Sequence, residues 1–259
     1  MTISQNDVLL DVACEAAQKA GELLLERFDA PARGVSTKST PTDLVSDADR
    51  DAEALILDIL RSLRPDDGIV SEEGGGRRSA SGYRWVVDPL DGTVNFLYGI
   101  PTWAVSIAIE DDSGVAVGVI HDPNRSETFT AVRGLGARVG DRGIRVSEQT
   151  DLSQALIGTG FSYDAQVRAV QAEAVQRLLP RVRDIRRAGS AALDLASLAC
   201  GRIDAFYEAH MELWDRAAGV LIAQEAGATV TDLQPPQGMA VGVVAANAHL
   251  HDRLRSLVG

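Results

Sequence analysis

Two aspartates three residues apart, Asp88 and Asp91, directly follow an apolar run that is typical of a buried strand. Pro89 stiffens the turn between them, Gly92 lets the backbone come close to a ligand, and Thr93 offers a hydroxyl. Two unpaired carboxylates at one point repel each other, so the pattern calls for a cation, and carboxylate oxygens suit Mg²⁺ or Mn²⁺. A simple turn that caps the next helix is the alternative interpretation.

A second acidic pair, Glu72 and Glu73, follows a short apolar run and precedes three glycines. Glutamates at a strand end can supply metal ligands, and solvated loop acids would give the same pattern. The glycine run lacks the Lys and the Ser or Thr of a phosphate-binding P-loop, so it does not indicate a nucleotide site.

Asp215 lies at the first turn of a predicted apolar helix, where the positive helix N-terminus favours an ionised carboxylate. An ordinary helix cap explains the same position. The aspartate-rich segment from Asp43 to Asp51 is similar to the start of an EF-hand, but Ala52 stands where that calcium loop needs glycine and no glutamate closes it. The helical pattern of the segment also argues against the aspartyl-phosphate motif of another phosphatase class.

Neither the cysteines nor the histidines show the spacing of a metal site. Cys14 and Cys200 both fall in Ala-rich helical patterns, which favours two buried thiols in a reducing cytosol over a disulfide. The histidines are predicted to be non-catalytic. They are His121, His210, His249 and His251.

The 259 residues carry 25 Lys and Arg against 37 Asp and Glu, which gives a formal net charge of −12. Such a charge argues against a general nucleic-acid or anionic-membrane binder, because both need a basic face. No apolar run approaches the roughly 20 residues of a membrane span, and the N-terminus lacks the basic flank of a secretory signal. We therefore expect a cytoplasmic protein with no membrane partner and no direct nucleic-acid partner.

The elements that must position these acids follow from apolar spacing. Helices are predicted over 1–29 and 47–63, where apolar residues recur every three or four positions. A loop over 30–42, rich in Gly, Pro, Ser and Thr, carries Lys38. The middle of the chain is rich in β-forming residues. Strands are expected there at 83–88, 103–110, 115–121 and 128–132.

After about residue 150 strands and helices alternate, which suggests a second sheet covered by helices. The expected strands are 155–159, 182–187, 202–207, 228–231 and 241–245, and the expected helices are 165–179, 191–200, 214–226 and 248–257. We expect one α/β domain over residues 1–259, whose sub-cores, about 1–150 and 151–259, meet in a cleft.

Taken together, the acidic motifs resemble those of the inositol monophosphatase family of Mg²⁺-dependent phosphatases. The segment 85–96, WVVDPLDGTVNF, is similar throughout to the family's first motif, and WDRAAG at 214–219 with EAG at 225–227 is similar to the second. Lys38-Ser39, the segment from Asp43 to Asp49, Ser71-Glu72-Glu73 and GSAA at 189–192 follow in family order. Ser71 and Ala228 depart from the family, which usually has glycine at both positions.

The resemblance implies an α/β (α+β) fold built as a five-layer α-β-α-β-α sandwich, and a homodimer. It also implies two or three bound Mg²⁺ ions, with Mn²⁺ as a substitute. Glu72, Asp88 and the carbonyl of Leu90 would hold the first ion, and a third, weaker ion would lie near Glu72. The ligands implied for the second ion are Asp88, Asp91 and Asp215.

The resemblance further implies hydrolysis of a small phosphorylated polyol by a metal-activated water, without a covalent intermediate. The Thr93 hydroxyl, paired with Asp49, would orient this water beside Glu72. The phosphate would lie on the backbone N–H groups of Gly92 and Thr93, and an ionised Glu208 would accept hydrogen bonds from sugar hydroxyls. The substrate contacts implied are Asp91, Gly92, Thr93, Gly189, Ser190, Ala191, Glu208 and Asp215.

Rival functions remain open at this point. The motifs are shared by phosphatases for inositol phosphate, histidinol phosphate, fructose 1,6-bisphosphate and 3′-phosphoadenosine nucleotides. The run Ala205–Glu208 is more similar to the inositol phosphatases, which favours inositol 1-phosphate. A regulatory family member that binds RNA or a protein partner is an alternative of another class, and the complete set of implied ligands argues against a catalytically idle protein.

Overall fold

A computed structural model describes residues 4–28, 34–38, 44–74, 76–234 and 240–259. Within these ranges the chain forms helices of five to 24 residues, and the longest begins near the N-terminus. The helices are α1 Gln5–Phe28, α2 Asp47–Leu63, α3 Thr93–Leu97, α4 Ala165–Leu178, α5 Ala191–Ala199, α6 Leu213–Glu225 and α7 His251–Val258.

The described strands fall into three sheets. In chain order they are β1 Ser36–Thr37, β2 Leu44–Val45, β3 Gly68–Ser71, β4 Arg84–Asp91, β5 Ala104–Asp111, β6 Gly114–Asp122, β7 Glu127–Val132, β8 Ala137–Val139, β9 Arg142–Gly143, β10 Leu156–Thr159, β11 Asp184–Arg186, β12 Ala205–Glu208, β13 Thr229–Leu233 and β14 Gly242–Ala246. The first two strands pair only with each other.

The largest sheet has seven strands in the order β3-β4-β5-β6-β7-β8-β9. Every neighbouring pair is antiparallel except β3 and β4, which run parallel and therefore end at the same edge. A five-stranded sheet has the order β11-β10-β12-β14-β13, with β10 parallel to both of its neighbours. The acids that follow β3 and β4 are thus brought to one edge by the parallel pairing.

Helices and sheets alternate in five layers. Helices α1 and α2 cover one face of the seven-stranded sheet, α5 and α6 lie between the two sheets, and α4 and α7 cover the outer face of the five-stranded sheet. Each pair of adjacent layers encloses an apolar core. This arrangement confirms the expected α-β-α-β-α sandwich, and it follows because each apolar face must be covered.

The middle helical layer packs closely because its contact residues are small. A Cβ added at Gly118 of β6 would lie 2.9 Å from the carbonyl oxygen of Ala218 in α6, so only glycine permits this approach. A Cβ at Gly219 would lie 2.6 Å from the Leu195 side chain of α5. The close packing fixes the first turn of α6, which carries Asp215, relative to both sheets.

The long elements lie close to their sequence predictions. Helix α2 has the predicted bounds 47–63, and β4 to β7 overlap the expected strands. Short elements were missed, because two- to five-residue segments such as β8, β9 and α3 carry too little periodicity. Part of the predicted loop over 30–42 is the strand β1, while residues 30–33 and 39–42 of it lie outside the described residues. In the described part of the chain, no helix has the length and apolar character that crossing a membrane requires.

Candidate active site

A β-bulge near the end of β4 turns both aspartates toward the middle helices. Asp88 pairs with Ser106 of β5, and Asp91 pairs with Ala104, so three steps along β4 match two steps along β5. Leu90 packs in the core on the α1 and α2 side, whereas Val86 packs on the α5 and α6 side. Because a bulge reverses the alternation of side chains, Asp88 and Asp91 face the same side.

Gly92 connects β4 to α3 in a conformation that favours glycine. Its φ of +97° lies in the left-handed region, and an added Cβ would lie 2.9 Å from the carbonyl oxygen of Thr102. The residue forms the N-cap of α3, so the backbone N–H groups at this turn lie at the start of a helix. The proposed role of Gly92 and Thr93 in holding a phosphate stays a prediction.

The Thr93 hydroxyl lies in a buried hydrogen-bond chain. Its Oγ1 donates to Asp49 Oδ1 over 2.9 Å and lies 3.1 Å from the carbonyl oxygen of Leu90. Asp49 Oδ2 in turn accepts bonds from the backbone N and the hydroxyl of Ser46, at 2.8 and 2.6 Å, in the capping box of α2. The pairing of Thr93 with Asp49 that the sequence suggested is therefore present, and its catalytic role remains a prediction.

Lys38 lies between the two glutamates that follow β3. Its Nζ is 2.7 Å from Glu72 Oε1 and 2.5 Å from Glu73 Oε1. Burial alone would lower the pKa of Lys38, but the two carboxylates outweigh it and raise that pKa. Sequence analysis placed Lys38 in a loop without a site role, and only its position in the family order signalled one.

Asp91 and Asp215 are each held by the start of a helix. Asp91 Oδ2 accepts bonds from the Ser190 hydroxyl at 2.5 Å and from the backbone N of Ala192 in α5 at 2.8 Å. Asp215 Oδ2 accepts a bond from the backbone N of Glu212 at 2.8 Å. Both carboxylates are thereby fixed in direction before any ligand binds.

These acids act on one another electrostatically. Burial raises the pKa of Asp88, and the nearby charges of Glu72, Asp91 and Asp215 raise it further. Burial likewise raises the pKa of Asp215, with Asp91 and Glu72 adding to it. Among the residues that the structure describes, no three Asp, Glu, His or Cys side chains converge closely enough to form a complete ligand group as they stand. The acids are therefore close enough to shift one another's pKa, but in their present rotamers they do not form a complete metal site.

A cleft of about 690 Å³ lies between the two sheets and contains most of the predicted residues. Those on its wall are Glu72, Asp91, Gly92, Gly189, Ser190, Ala191, Glu208 and Asp215. Asp49, Asp88, Leu90 and Thr93 connect to this wall from behind through the contacts described above. The structure thus brings the whole predicted set to one cleft.

Glu208, the last residue of β12, is packed against the backbone of Gly160. A Cβ added at Gly160 would lie 2.1 to 2.2 Å from the atoms of the Glu208 carboxyl group. Burial, together with Asp194 and Asp91, raises the pKa of Glu208 to about 8. The expectation of an ionised Glu208 is therefore wrong near neutral pH in the protein without bound cations, because the surrounding atoms and acids favour its protonated form.

Sequence reasoning missed several further residues of the cleft wall, among them three with ionisable side chains: Arg187, Asp194 and His210. Asp194 of α5 and Arg187 lie near Glu208, and His210, predicted to play no part, lines the cleft with its Nδ1 accepting a bond from Ala240 N at 2.8 Å. A signal existed for Asp194, which is the only charged residue in the apolar sequence of α5. A charged residue in such a helix usually has a partner or a function.

The layers and the cleft define the class of the protein: a mixed α/β sandwich that gathers acids from several elements at one cleft. The chain belongs to the inositol monophosphatase family, a family of phosphoric monoester hydrolases, and the family model matches residues 5–258.

Similar proteins agree with this membership. An inositol-1-monophosphatase of Mycobacterium leprae (strain TN) is 44% identical, over 98% of this chain and 95% of the relative. The Nus factor SuhB of Xylella fastidiosa (strain Temecula1) is 43% identical, over 87% of this chain and 82% of the relative. Among solved structures, the extragenic suppressor protein suhB of Bartonella henselae superposes with a TM-score of 0.91 at 39% identity, over 97% of this chain and 98% of that one.

Proposed function

We propose that the protein hydrolyses inositol 1-phosphate to inositol and phosphate with Mg²⁺ and an activated water. The observation that carries the proposal is the position of Glu72, Asp91 and Asp215, which come from three separate parts of the chain and meet at one wall of the cleft, with the buried Asp88 behind them. A phosphate dianion would not enter so acidic a wall without cations.

The donor set fits a hard divalent cation. The acids present carboxylate oxygens, and among the described residues Lys38 forms ion pairs with Glu72 and Glu73. We propose that Glu72, Asp88, the carbonyl of Leu90, Asp91 and Asp215 hold Mg²⁺ or Mn²⁺, after rotation of the side chains that do not yet converge. Bound ions would supply Lewis-acid catalysis and a water of lowered pKa.

The chain's own residues supply orientation. Asp49, fixed by Ser46, accepts a hydrogen bond from the Thr93 hydroxyl, so the lone pairs of the Thr93 oxygen are left to face the attacking water. Glu72 lies beside this water in the proposal. The left-handed turn at Gly92 presents backbone N–H groups to the phosphate, an arrangement suited to anions.

A substrate panel with the purified protein tests the proposal. We expect Mg²⁺-dependent turnover of inositol 1-phosphate at a higher kcat/KM than of histidinol phosphate, fructose 1,6-bisphosphate or 3′-phosphoadenosine 5′-phosphate. Excess EDTA should abolish turnover, and Ca²⁺ should support it poorly because its longer bonds misplace the water. Full activity in EDTA would overturn the mechanism. A higher kcat/KM on another ester would change the proposed substrate and leave the mechanism standing.

The name of the Xylella relative favours a second, regulatory role that involves a protein partner. We propose that such a role accompanies hydrolysis in a cytoplasmic homodimer. Light scattering of the purified protein tests the dimer. Capture of a defined partner by an inactive Asp88→Asn protein would separate the regulatory role from catalysis.

A further inference from the structure

Asp194 is a buried acid without a hydrogen-bonding partner in the described structure. Its side chain is 4% exposed, and it lines the cleft from the first turn of α5. None of the hydrogen bonds between described residues ends on its carboxyl group, whereas Asp91, nearby, accepts two. A buried carboxyl group without a partner is costly, so its retention at a cleft points to a ligand.

Two glycines place Asp194 beside Glu208. A Cβ added at Gly158 of β10 would lie 3.7 Å from Asp194 Cγ, and one at Gly160 would lie within 2.2 Å of the Glu208 carboxyl group. Gly160 directly follows β10, so both carboxyl groups lie along the same short segment. The charge of Asp194 also raises the pKa of Glu208, so the two groups are near each other. The atom nearest to a Cβ at Gly158 belongs to Ile203, at 2.7 Å, with Asp194 in ordinary contact, whereas at Gly160 the nearest atoms are those of the Glu208 carboxyl group.

The electrostatics of this pair favour a particular kind of alcohol. Burial raises the pKa of Asp194 well above its ordinary value, Asp91 adds to the shift, and Arg187 opposes it. Hydroxyl groups of a bound alcohol would donate to the two carboxyl groups and satisfy them. A second phosphate would instead bring more negative charge to an acidic surface, which is unfavourable.

We propose that Asp194 is a specificity-determining residue that forms, with Glu208, a two-acid subsite for the leaving alcohol. The subsite favours an alcohol with several hydroxyl donors and disfavours one that carries a second phosphate. This inference rests on the proposed phosphatase function and adds a residue that discriminates between its substrates.

The variant Asp194→Asn keeps the shape of the side chain and replaces one carboxyl oxygen by an amide nitrogen, which donates hydrogen bonds but accepts none. With Mg²⁺, kcat/KM would be measured for inositol 1-phosphate, p-nitrophenyl phosphate and fructose 1,6-bisphosphate. We expect kcat/KM for inositol 1-phosphate, relative to kcat/KM for p-nitrophenyl phosphate, to fall about tenfold, mainly through KM, because a carboxyl oxygen that accepts a hydrogen bond from the alcohol is lost. The ratio of the bisphosphate to p-nitrophenyl phosphate should rise.

Two further variants keep the test decisive. Asp252→Asn removes a first-turn acid from α7, outside the cleft, and should leave both ratios unchanged. Gly160→Ala displaces the Glu208 carboxyl group and should lower the inositol ratio while Asp194 stays intact. Equal loss on all three esters, or unchanged ratios in a folded Asp194→Asn protein as judged by Tm, would overturn the proposal.

Failure of the proposed function would have a different signature. If the wild type hydrolysed none of the esters with Mg²⁺, the phosphatase proposal would fail. Calorimetry with myo-inositol 1-phosphate in Ca²⁺ would then examine the subsite alone. Weaker binding to Asp194→Asn than to wild type supports the subsite, and equal binding, or none to either protein, overturns it.

Discussion

The two walls of the cleft hold their acids differently. On the wall formed by β3, β4 and α6, which we call the fixed wall, Asp91 and Asp215 accept hydrogen bonds from helix starts, and Asp49 behind them accepts bonds from Ser46. On the wall formed by β10, α5 and β12, Asp194 and Glu208 have no such bond among the described residues. Fixed acids suit a reaction that needs defined positions, whereas acids without partners suit recognition of a ligand that supplies them.

The substitution Asp88→Asn is expected to have the largest effect on the difference between the two walls. Asp88→Asn removes a carboxylate proposed to serve two ions, so kcat with Mg²⁺ should fall by at least about 10³-fold. The fold should survive, because the substitution relieves repulsion among buried like charges. Steady-state kinetics and Tm measure the two effects. Asp112→Asn, exposed in the turn between β5 and β6, is the control. Near wild-type turnover of Asp88→Asn would show that Asp88 is only a turn residue.

Thr93 tests whether the fixed wall acts through its hydrogen bonds. Thr93→Ala removes the hydroxyl that bonds to Asp49, so kcat should fall by about 100-fold with little change in KM. Thr93→Ser retains the hydroxyl and should recover most of the rate. A Ser variant as slow as the Ala variant would assign the effect to packing of the buried methyl group instead.

Glu208 tests whether the wall formed by β10, α5 and β12 recognises the alcohol. Glu208→Gln should lower kcat/KM for inositol 1-phosphate by roughly 10- to 100-fold relative to p-nitrophenyl phosphate, which offers no hydroxyl donors. An equal loss of kcat/KM for both esters would show that Glu208 acts in catalysis or structure and not in recognition of the alcohol. No change in either ester, together with a higher rate on histidinol phosphate, would exclude inositol as the alcohol.

The smallest effect concerns stability without metal. The pKa of Glu208 is raised from 4.5 to about 8 by burial, so the folded protein binds a proton there that the unfolded chain releases between these values. Stability in EDTA should therefore decrease as pH rises from about 4.5 to 8. Glu208→Gln should lessen this decrease, as Tm measured across that range would show. Parallel Tm curves for wild type and variant would disprove the buried proton.

Sequence alone predicted the fixed wall better than the other. Its acids stand in contiguous motifs such as WVVDPLDGT, where order along the chain determines proximity. The second wall depends on contacts between distant segments, since Gly160 and Glu208 are brought together only by parallel pairing of β10 and β12. The raised pKa of Glu208 depends on this packing, which no local pattern reports.

The bulge in β4 illustrates the same limit. Spacing suggested that Asp88 and Asp91 converge on one point, and Pro89 lies in the turn between them. Simple alternation, however, would put the two side chains on opposite faces. The register against β5, in which Asp88 faces Ser106 and Asp91 faces Ala104, resolves the conflict. Pairing partners are a tertiary property and could not be inferred from the motif.

The close contact between Gly118 and Ala218 bears on how this protein can be recombined with its relatives. Helix α6 is seated against one sheet through a glycine that tolerates no side chain and packs against α5, which borders the other sheet. In a chimera that exchanged either sheet alone, the small residues that allow α6 to pack closely would no longer be matched across the contact. A chimera should therefore keep its function only when α6, β6 and α5 all come from the same parent protein.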